Sequence, residues 1–397
     1  MSDLWRASRR IVIKLGTQVV LERDGQLARK RLTQLINHCA AAWQLDKEIL
    51  LVSSGAVGLG ETSLKIRQPK EKSLSLVEKQ ACASVGQNLL MDIYRELFSA
   101  HGITIAQILV TASDFSDRRR YLILRQTLEK LLSMRVVPII NENDAVSTME
   151  LKEGAYSSSF GDNDKLSALV AGKLDADLLI ILTNVEGVFS ADPERNPEAT
   201  LISEIDSFEQ LASIDSDGTS PQGRGGMSAK IEAIRIAFIS GVHTMIRSGH
   251  NPDTLSWMTN TGGDPKGGTL VKPGVSLPKR RSWIGLASST FGRVIVNSGA
   301  VNALVERNAS LLPSGVVDVE GSFQAGQVIS IEDEQGHNVG RGVSRFSARD
   351  VLKISGLKSD QICNVLGKDA KAEVIHRDNL VVFKEHFGGT TPGDLRR

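Results

Sequence analysis

The amino-acid sequence predicts an α/β protein: a three-layer αβα sandwich around a mainly parallel sheet, followed by a small β-rich domain. Short apolar runs alternate with longer amphipathic stretches through the first two-thirds of the chain. These runs are apolar on nearly every residue, which is typical of strands with both faces covered. After "VKPGVSLPKRRSW" (271–283) the alternation gives way to short apolar runs with closely spaced turns. The sequence therefore predicts two domains of different architecture.

The order of the elements follows from the same pattern. The predicted strands are the six runs 10–16, 48–56, 103–111, 136–140, 177–183 and 242–249. Helices are predicted between them, at 28–45, 75–100, 118–134, 165–174 and 228–240. The change of texture places the domains and their connections at 1–272, 273–280 (linker), 281–380 and 381–397 (tail). Several strands end in small or polar residues, and ligands of open α/β sheets bind beyond the carboxyl ends of strands, so we expect these polar clusters to converge on one site.

The composition is that of an ordinary globular protein and excludes several classes. The 397 residues carry 47 Lys and Arg against 46 Asp and Glu, a net charge of +1 that gives no drive toward nucleic acid or an anionic membrane. No apolar run approaches the roughly 18 residues of a membrane span, and the basic start leads into a run too short for a signal peptide. Three distant cysteines, Cys39, Cys82 and Cys363, are expected to be reduced core thiols. A cytosolic location is the expectation.

The nucleotide signals are weak when each is taken alone. The chain has no G-x-x-x-x-G-K-[ST] loop and no strand followed by G-x-G-x-x-G, which disfavours P-loop and Rossmann proteins. It does have "QGRGGMSAKIEAIRIA" (222–237), where a predicted helix start and Lys230 would suit phosphate oxygens. A flexible surface loop explains that pattern equally well. Lys14, near the end of an apolar strand, must either reach solvent or meet an anion.

Two clusters of carboxylates and amides, "NEND" (141–144) and "GDND" (161–164), stand beside apolar elements. A calcium loop is disfavoured because its ligand spacing is absent, and a zinc site because no His or Cys is near. Turn and capping roles explain either cluster alone. Their joint position beside predicted elements favours a ligand, but the residues alone leave capping open.

Six motifs taken together carry a resemblance. The segments "IVIKLGT", "LVSSGAVGLG", "VVPIINENDAVS", "GDNDKLSALVA", "LLIILTNVEGVFSADP" and "RGGMSAK" occur over 9–272 in an order that resembles the amino-acid kinase superfamily. The pair "INENDAV" and "GDNDKLSAL" is similar to the glutamate 5-kinase family within it. Downstream, "RRSWIG", "GAVNALVERNASLLPSGV", "GVSR" and "VIHRDNLVVF" resemble a PUA domain. The resemblance implies the amino-acid kinase fold for the first domain and a PUA-like second domain.

The implied activity is ATP-dependent phosphorylation of the γ-carboxylate of L-glutamate, giving L-glutamyl 5-phosphate and ADP, the first step of proline synthesis. A sister kinase acting on acetylglutamate or aspartate is the nearest alternative, although aspartokinases usually begin "KFGGTS", which this chain lacks. An RNA-binding protein acting through the PUA-like domain is an alternative of another class. Residues 280–380 contain 12 Lys and Arg against 11 Asp and Glu, so no basic surplus supports it.

Matching positions give the implied site. Lys14 and Lys230 match lysines that bind ATP phosphates, and Asp164 matches an aspartate that holds them, so these three are the predicted catalytic residues. The predicted substrate-binding residues are Ser54, Gly55, Asp144, Asp162 and Asn163. In this interpretation Asp144 meets the α-ammonium group, Asn163 and Ser54 donate to carboxylates, and Asn141, Glu142 and Asn143 shape the turn that presents Asp144. The predicted ATP-binding residues are Lys14, Thr183, Asn184, Arg224, Gly225, Gly226, Met227, Ser228, Ala229 and Lys230. Mg²⁺ is implied with ATP, held mainly by nucleotide oxygens and water, and no protein metal ligand is predicted.

Three positions depart from the family pattern. Asn184 stands where "TD" is usual, Arg224 stands where threonine is common, and the connection 147–160 is longer than in short bacterial members. The resemblance also implies a homo-oligomer (dimer or tetramer), feedback inhibition by proline, and a separate glutamyl-phosphate reductase that receives the labile product. Membrane and nucleic-acid partners are not expected.

Overall fold

The computed structural model describes residues 2–66, 74–147, 163–191, 196, 198–207, 210–211, 214, 227–258, 267–273, 290–358, 361–367 and 373–383. The chain divides into two compact units, which are described separately. Several predicted features lie outside the described residues: Asp162, Arg224, Gly225, Gly226, the side chains of Met227, Ser228 and Cys363, the connection 148–160, most of the linker and nearly all of the tail.

A sheet of eight strands, counted over the described residues, forms the centre of the first unit. Its order is β3-β4-β2-β1-β5-β9-β10-β8, and the six strands from β3 to β9 run parallel, whereas β10 is antiparallel to β9. The mainly parallel sheet that the sequence predicts is confirmed. The strands of the first unit, together with the small β6–β7 ribbon, are β1 (Arg10–Leu15), β2 (Glu48–Ser53), β3 (Ile105–Val110), β4 (Val137–Glu142), β5 (Leu178–Thr183), β6 (Val188–Phe189), β7 (Leu201–Ile202), β8 (Glu204–Ile205), β9 (His243–Ser248) and β10 (Thr269–Val271).

Helices connect these strands as the amphipathic stretches predict. All five predicted helices are present within two residues of the predicted ends. The helices of this unit are α1 (Ser2–Ala7), α2 (Thr17–Val20), α3 (Arg29–Gln44), α4 (Ala56–Ser63), α5 (Leu76–Ser99), α6 (Ala112–Ser116), α7 (Arg118–Ser133), α8 (Asn163–Lys173) and α9 (Met227–Ile239). A 3₁₀ segment follows β9 at Pro252–Met258. Among the described residues, no helix combines the length and apolarity needed to cross a membrane.

The core of the first unit explains why the central strands are largely apolar. Every residue of β5 is buried, since side chains on both of its faces are covered. Helix α5 begins with a capping box, in which the Ser75 hydroxyl accepts from the Glu78 amide and the Glu78 carboxylate accepts from the Ser75 amide. Cys39 and Cys82 are buried free thiols, as predicted.

The predicted ends of two strands were wrong: β2 ends at Ser53 and not at residue 56, and β4 extends beyond residue 140. The sequence places the end of the fourth strand at Ile140, but β4 continues through Asn141 and Glu142. Both side chains are buried and hydrogen-bonded, Asn141 to Gln87 and Glu142 to Ser147, so partners outside the sheet satisfy them. Likewise α8 begins at Asn163, so Asn163 and Asp164 form its first turn instead of preceding it. Asn141 and Glu142 therefore belong to a strand end, and Asn163 and Asp164 to a helix start.

The second unit is a small β-rich domain with its own core, as predicted. Its five-stranded sheet, counted over the described residues, has the order β12-β11-β13-β14-β15. Phe323, Ile329 and Ile331 lie in its buried cluster. Its elements are β11 (Gly292–Val296), α10 (Ser298–Arg307), β12 (Val316–Gly321), β13 (Val328–Asp333), β14 (Asn338–Val343), α11 (Ala348–Ile354), α12 (Ile362–Leu366) and β15 (Leu380–Val382), with 3₁₀ turns at Pro313–Gly315 and Arg377–Asn379.

Candidate active site

The candidate site lies at the carboxyl ends of four adjacent parallel strands, β4, β2, β1 and β5. Lys14, the fifth residue of β1, pairs in register with Val52 of β2 and Ile181 of β5. Since parallel strands end at one edge of a sheet, Lys14 stands beside the ends of both neighbours. The polar clusters that follow these strands are therefore brought together, as the sequence predicts.

A buried carboxylate joins the two predicted phosphate-binding lysines. The Lys14 ammonium nitrogen lies 2.5 Å from Oδ1 of Asp164, and that of Lys230 lies 3.5 Å from Oδ2. Asp164 is fully buried, and the lysines are 4% and 8% exposed. The three groups come from β1, α8 and α9, so only the folded chain assembles them.

The cluster brings positive charge to a place with little exposure to solvent. Its two ammonium groups, of Lys14 and Lys230, flank the Asp164 carboxylate. Fixed positive charge in a water-poor site suits a phosphoryl group better than the same charge in solvent.

Next to Asp164, the Asn163 side chain is held by hydrogen bonds within the protein. Its Nδ2 lies 2.7 Å from the Ser53 carbonyl oxygen, 2.9 Å from the Ser54 hydroxyl and 2.9 Å from Oδ1 of Asn141. An amide nitrogen has two hydrogens, so three acceptors occupy it fully. The predicted donation from Asn163 to a substrate carboxylate is therefore not favoured, because Oδ1 is the end left for a ligand. Ser54 accepts from Asn163 and keeps its own O–H for donation.

Glu142 and Asp144 form a pair of neighbouring carboxyl groups at the end of β4. Glu142 is buried and accepts a hydrogen bond of 2.5 Å from the Ser147 hydroxyl. Burial, and secondly the charge of Glu142, raise the pKa of Asp144 to about 6. A cation beside Asp144 would favour its ionised form and so oppose the shift that burial and Glu142 cause.

A glycine shapes the turn between β2 and α4. Gly55 has a φ of +98°, a conformation that side chains rarely adopt, and it caps the start of α4 directly after Ser54. A Cβ atom there would also lie 3.1 Å from Cγ1 of Val20. Gly55 thus fixes the direction of the Ser54 hydroxyl rather than contributing a side chain.

The predicted ATP-binding residues divide between two places. Thr183 is buried at the end of β5 and donates from its hydroxyl to Oδ1 of the exposed Asn184 over 3.1 Å. The helix predicted near Met227 begins there, with Ala229 and Lys230 in the first turn of α9. Arg224 and the two glycines after it lie outside the described residues.

Sequence reasoning missed the hydrogen-bonding role of two polar side chains in this region. Asn141, assigned to a turn, instead bonds both Asn163 and Gln87 of α5, and Gln87 was not singled out at all. A signal for Gln87 exists in the sequence. It stands at helical spacing with Leu90 and Tyr94 on the buried face of α5, where a glutamine needs a polar partner.

Comparisons with known proteins agree with this architecture. The model of the "Amino acid kinase family" matches residues 9–248, and that of the "PUA domain" matches residues 292–366. The chain thus belongs to the amino acid kinase family and carries a PUA domain.

Relatives that match nearly the whole chain show which amino acid kinases it resembles. A glutamate 5-kinase from Dehalococcoides mccartyi (strain CBDB1) is 41% identical over 378 residues, covering 94% of this chain and 98% of the relative. One from Thermoanaerobacter sp. (strain X514) is 39% identical over 382 residues, covering 96% of this chain and all of the relative. Among solved structures, a carbamate kinase from Giardia lamblia bound to AMP-PNP is 18% identical to this chain, with a TM-score of 0.47. The alignment covers 69% of this chain and all of the carbamate kinase chain. By its sequence relatives, the chain belongs to the glutamate 5-kinase family.

Proposed function

We propose that the chain transfers the γ-phosphoryl group of ATP to the γ-carboxylate of L-glutamate, giving L-glutamyl 5-phosphate and ADP as the first step of proline synthesis. The observation that carries the proposal is the buried Lys14–Asp164–Lys230 cluster. It adjoins, through consecutive residues of α8, the hydrogen-bonded side chain of Asn163. Family membership supports the same activity.

The transfer itself requires positioning and charge rather than a base. A γ-carboxylate oxygen attacks the γ-phosphorus, the bond from that phosphorus to the bridging oxygen breaks, and ADP leaves with the electron pair. The attacking carboxylate is already ionised at neutral pH, so no proton has to be removed. Lys14 and Lys230 then stabilise the negative charge that shifts onto the phosphoryl and bridging oxygens, while Asp164 keeps the two lysines in place.

Glutamate is bound by groups that complement its own charges and hydrogen-bonding groups. Asp144 supplies the carboxylate for the α-ammonium group, and the Oδ1 end of Asn163 suits the same group. The Ser54 O–H, directed by Gly55, donates to a carboxylate of the substrate. These contacts exist before and during the transfer, so they affect affinity more than the rate of the chemical step.

We further propose that Mg²⁺ enters bound to ATP as part of the co-substrate. In the part of the chain that the structure describes, no cluster of three or more His, Cys, Asp or Glu could hold a metal ion. Lys14 and Lys230 also place positive charge where the phosphates would bind. The ion would therefore be held mainly by nucleotide oxygens and water, and it would neutralise charge on the phosphates.

An ATP-consumption assay with several acceptors tests the proposal. Glutamate, aspartate, acetylglutamate, UMP and carbamate are compared, and hydroxylamine traps any acyl phosphate. We expect robust turnover with glutamate and a hydroxamate product. Turnover of another acceptor, with none for glutamate, would show that the chain is a sister kinase with a different substrate.

The remaining assignments rest on family membership, and we propose them as extensions of this function. Proline would act as a feedback inhibitor, the chain would form a dimer or tetramer, and a separate glutamyl-phosphate reductase would take up the acyl phosphate. The buried free thiols Cys39 and Cys82 are compatible with a reducing, cytoplasmic location. Inhibition of the glutamate assay by proline, and the mass of the chain in solution, test the first two assignments.

A further inference from the structure

Three side-chain amides form a line that leads from helix α5 to the substrate side of the site. Oε1 of Gln87 accepts from Nδ2 of Asn141 over 2.8 Å, and Oδ1 of Asn141 accepts from Nδ2 of Asn163 over 2.9 Å. Gln87 is 8% exposed and Asn141 2% exposed, so water does not compete for these bonds. Gln87 itself belongs to helix α5 and was not among the predicted site residues.

Backbone groups fix the direction of this line. The Ser53 carbonyl oxygen can only accept, so the amide of Asn163 must present Nδ2 to it and to the neighbouring Asn141. Asn141 must therefore present Oδ1, which also accepts from the backbone N–H of Glu142 over 2.9 Å. The Nδ2 of Asn141 then faces Gln87, so Gln87 must present its side-chain oxygen as the acceptor. The acceptor on Gln87 is the group that completes the arrangement.

The donor end of Gln87 has no comparable role. Within the described residues, Nε2 of Gln87 is buried and has no hydrogen-bond partner. An unpaired buried donor costs free energy, so stability alone would favour an apolar residue at this position. The oxygen of Gln87 is thus the feature that distinguishes glutamine from an apolar side chain of similar volume.

The packing of two helices sets the distance from Gln87 to Asn141. A Cβ on Gly86 would lie 1.7 Å from the carbonyl oxygen of Ala56, and one on Gly60 would lie 1.9 Å from that of Cys82. Helices α4 and α5 therefore cross with their backbones nearly in contact. Because α4 starts directly after Ser54 and Gly55, one crossing holds both that turn and Gln87 in place.

We propose that Gln87 is a positioning residue for glutamate binding, which acts through Asn141 to hold the side chain of Asn163 in its binding orientation. The proposal rests on the proposed function only in naming glutamate as the ligand of Asn163. Without an acceptor at position 87, the amide of Asn141 is free to turn over. It would then place a donor against the donor of Asn163 and lose the bond from Glu142.

The test compares three variants by steady-state kinetics. Gln87→Met keeps the volume and removes the acceptor, so the KM for glutamate should rise about tenfold, the size of effect expected from one lost buried hydrogen bond. The KM for ATP and kcat should stay within about twofold, because the lysine cluster is unaffected. Gln87→Glu should bring the KM for glutamate back to within about threefold of the wild type. Burial raises the pKa of a carboxyl group there, and either protonation state offers an oxygen to Asn141.

Controls separate positioning from general packing. Gln34→Met in α3, a half-buried glutamine away from the site, should leave both KM values unchanged. If Gln87→Met does not fold, Gln87→Asn carries the test, since its amide is one methylene too short to reach Asn141, and the same rise in KM is expected. Equal changes in both KM values, a fall in kcat alone, or no rescue by Gln87→Glu would show that Gln87 is merely structural.

The wild type in the same assay keeps the two proposals apart. If it phosphorylates glutamate, the variant ratios test the positioning role alone. If it phosphorylates another acceptor of the panel instead, the proposed function fails, and the ratios measured with that acceptor still decide the role of Gln87.

Discussion

Two halves of the candidate site use opposite chemistry. The side proposed to bind phosphate consists of Lys14, Lys230 and Asp164, three charged groups of which the carboxylate is fully buried. The side proposed to bind the substrate has neutral amides and a hydroxyl around Asn163, and the carboxyl groups of Glu142 and Asp144 at the end of β4. In the proposed function, charge is concentrated where the reaction develops charge, and neutral hydrogen bonds orient the part of the ligand that does not react. Substitutions on the two sides should therefore separate into effects on kcat and effects on the KM for glutamate.

The largest effect is expected from Asp164→Asn. This change leaves two largely buried ammonium groups without their shared carboxylate, which should lower the free energy of unfolding by about 3–5 kcal/mol and reduce kcat as well. Urea unfolding of the variant and the wild type measures the first effect. Asp175→Asn, which breaks the half-exposed Arg125–Asp175 pair of 2.8 Å, is the matched control and should cost less than about 1 kcal/mol. Equal losses of unfolding free energy in the two variants would show that the buried cluster stabilises the fold no more than the half-exposed pair does.

Lys230→Ala should lower kcat by about 10²-fold or more, since a charge that stabilises the transferring phosphoryl group is removed. Its stability should change little, because Asp164 keeps Lys14 at 2.5 Å. Single-turnover kinetics with the phosphate acceptor at saturation isolates the chemical step. Lys165→Ala on α8, whose partner is the half-exposed Glu232, should keep kcat within about twofold. A kcat for Lys230→Ala near the wild-type value would remove Lys230 from the mechanism.

Asp144→Asn should raise the KM for glutamate about tenfold and leave kcat nearly unchanged, because the ammonium contact is made in both the ground and transition states. Initial rates over a range of glutamate concentrations measure both constants. Asp253→Asn, at a carboxylate that is 72% exposed, is the control. An unchanged KM for glutamate would show that Asp144 does not bind the α-ammonium group.

An effect of similar size is expected from a change of pH, and on the substrate side alone. With a pKa of about 6, only about one-tenth of Asp144 is ionised at pH 5, so the KM for glutamate should rise about tenfold between pH 7 and pH 5. The KM for ATP at the same pH values serves as the reference, and Asp144→Asn should flatten the profile. A profile for glutamate that stays steep in the variant would assign the titration to another group.

The raised pKa of Asp144 also affects the stability of the folded chain. Because the pKa of Asp144 is higher in the folded chain than its ordinary value of 3.8, its contribution favours the folded state below about pH 4 and is lost as the pH rises through about 6. The raised pKa of Asp144 therefore lowers the stability of the folded chain at neutral pH, as expected for a half-buried carboxyl group.

Sequence reasoning predicted the elements well and the polar cluster at 141–144 poorly. β5 is apolar up to its last residue, Thr183, so its pattern has one interpretation, and it lies where it was predicted. Asn141 and Glu142 continue a strand although both are polar, and propensity assigned them to a turn. Tertiary partners reversed that preference: Gln87 and Asn163 satisfy Asn141, and Ser147 satisfies Glu142.

The sequence by itself determined the parallel α/β architecture, the β-rich second domain and the residue types of the site, because hydrophobic periodicity and local motifs are properties of short segments. Only the tertiary structure decided which groups meet. Lys14 and Asp164 are 150 residues apart in the chain, and their contact exists because β1 occupies the centre of the sheet and α8 begins at its edge. The hydrogen bonds that link Gln87 to Asn163 depend in the same way on the crossing of helices α4 and α5. Each of these bonds forms only when the fold places its donor beside its acceptor.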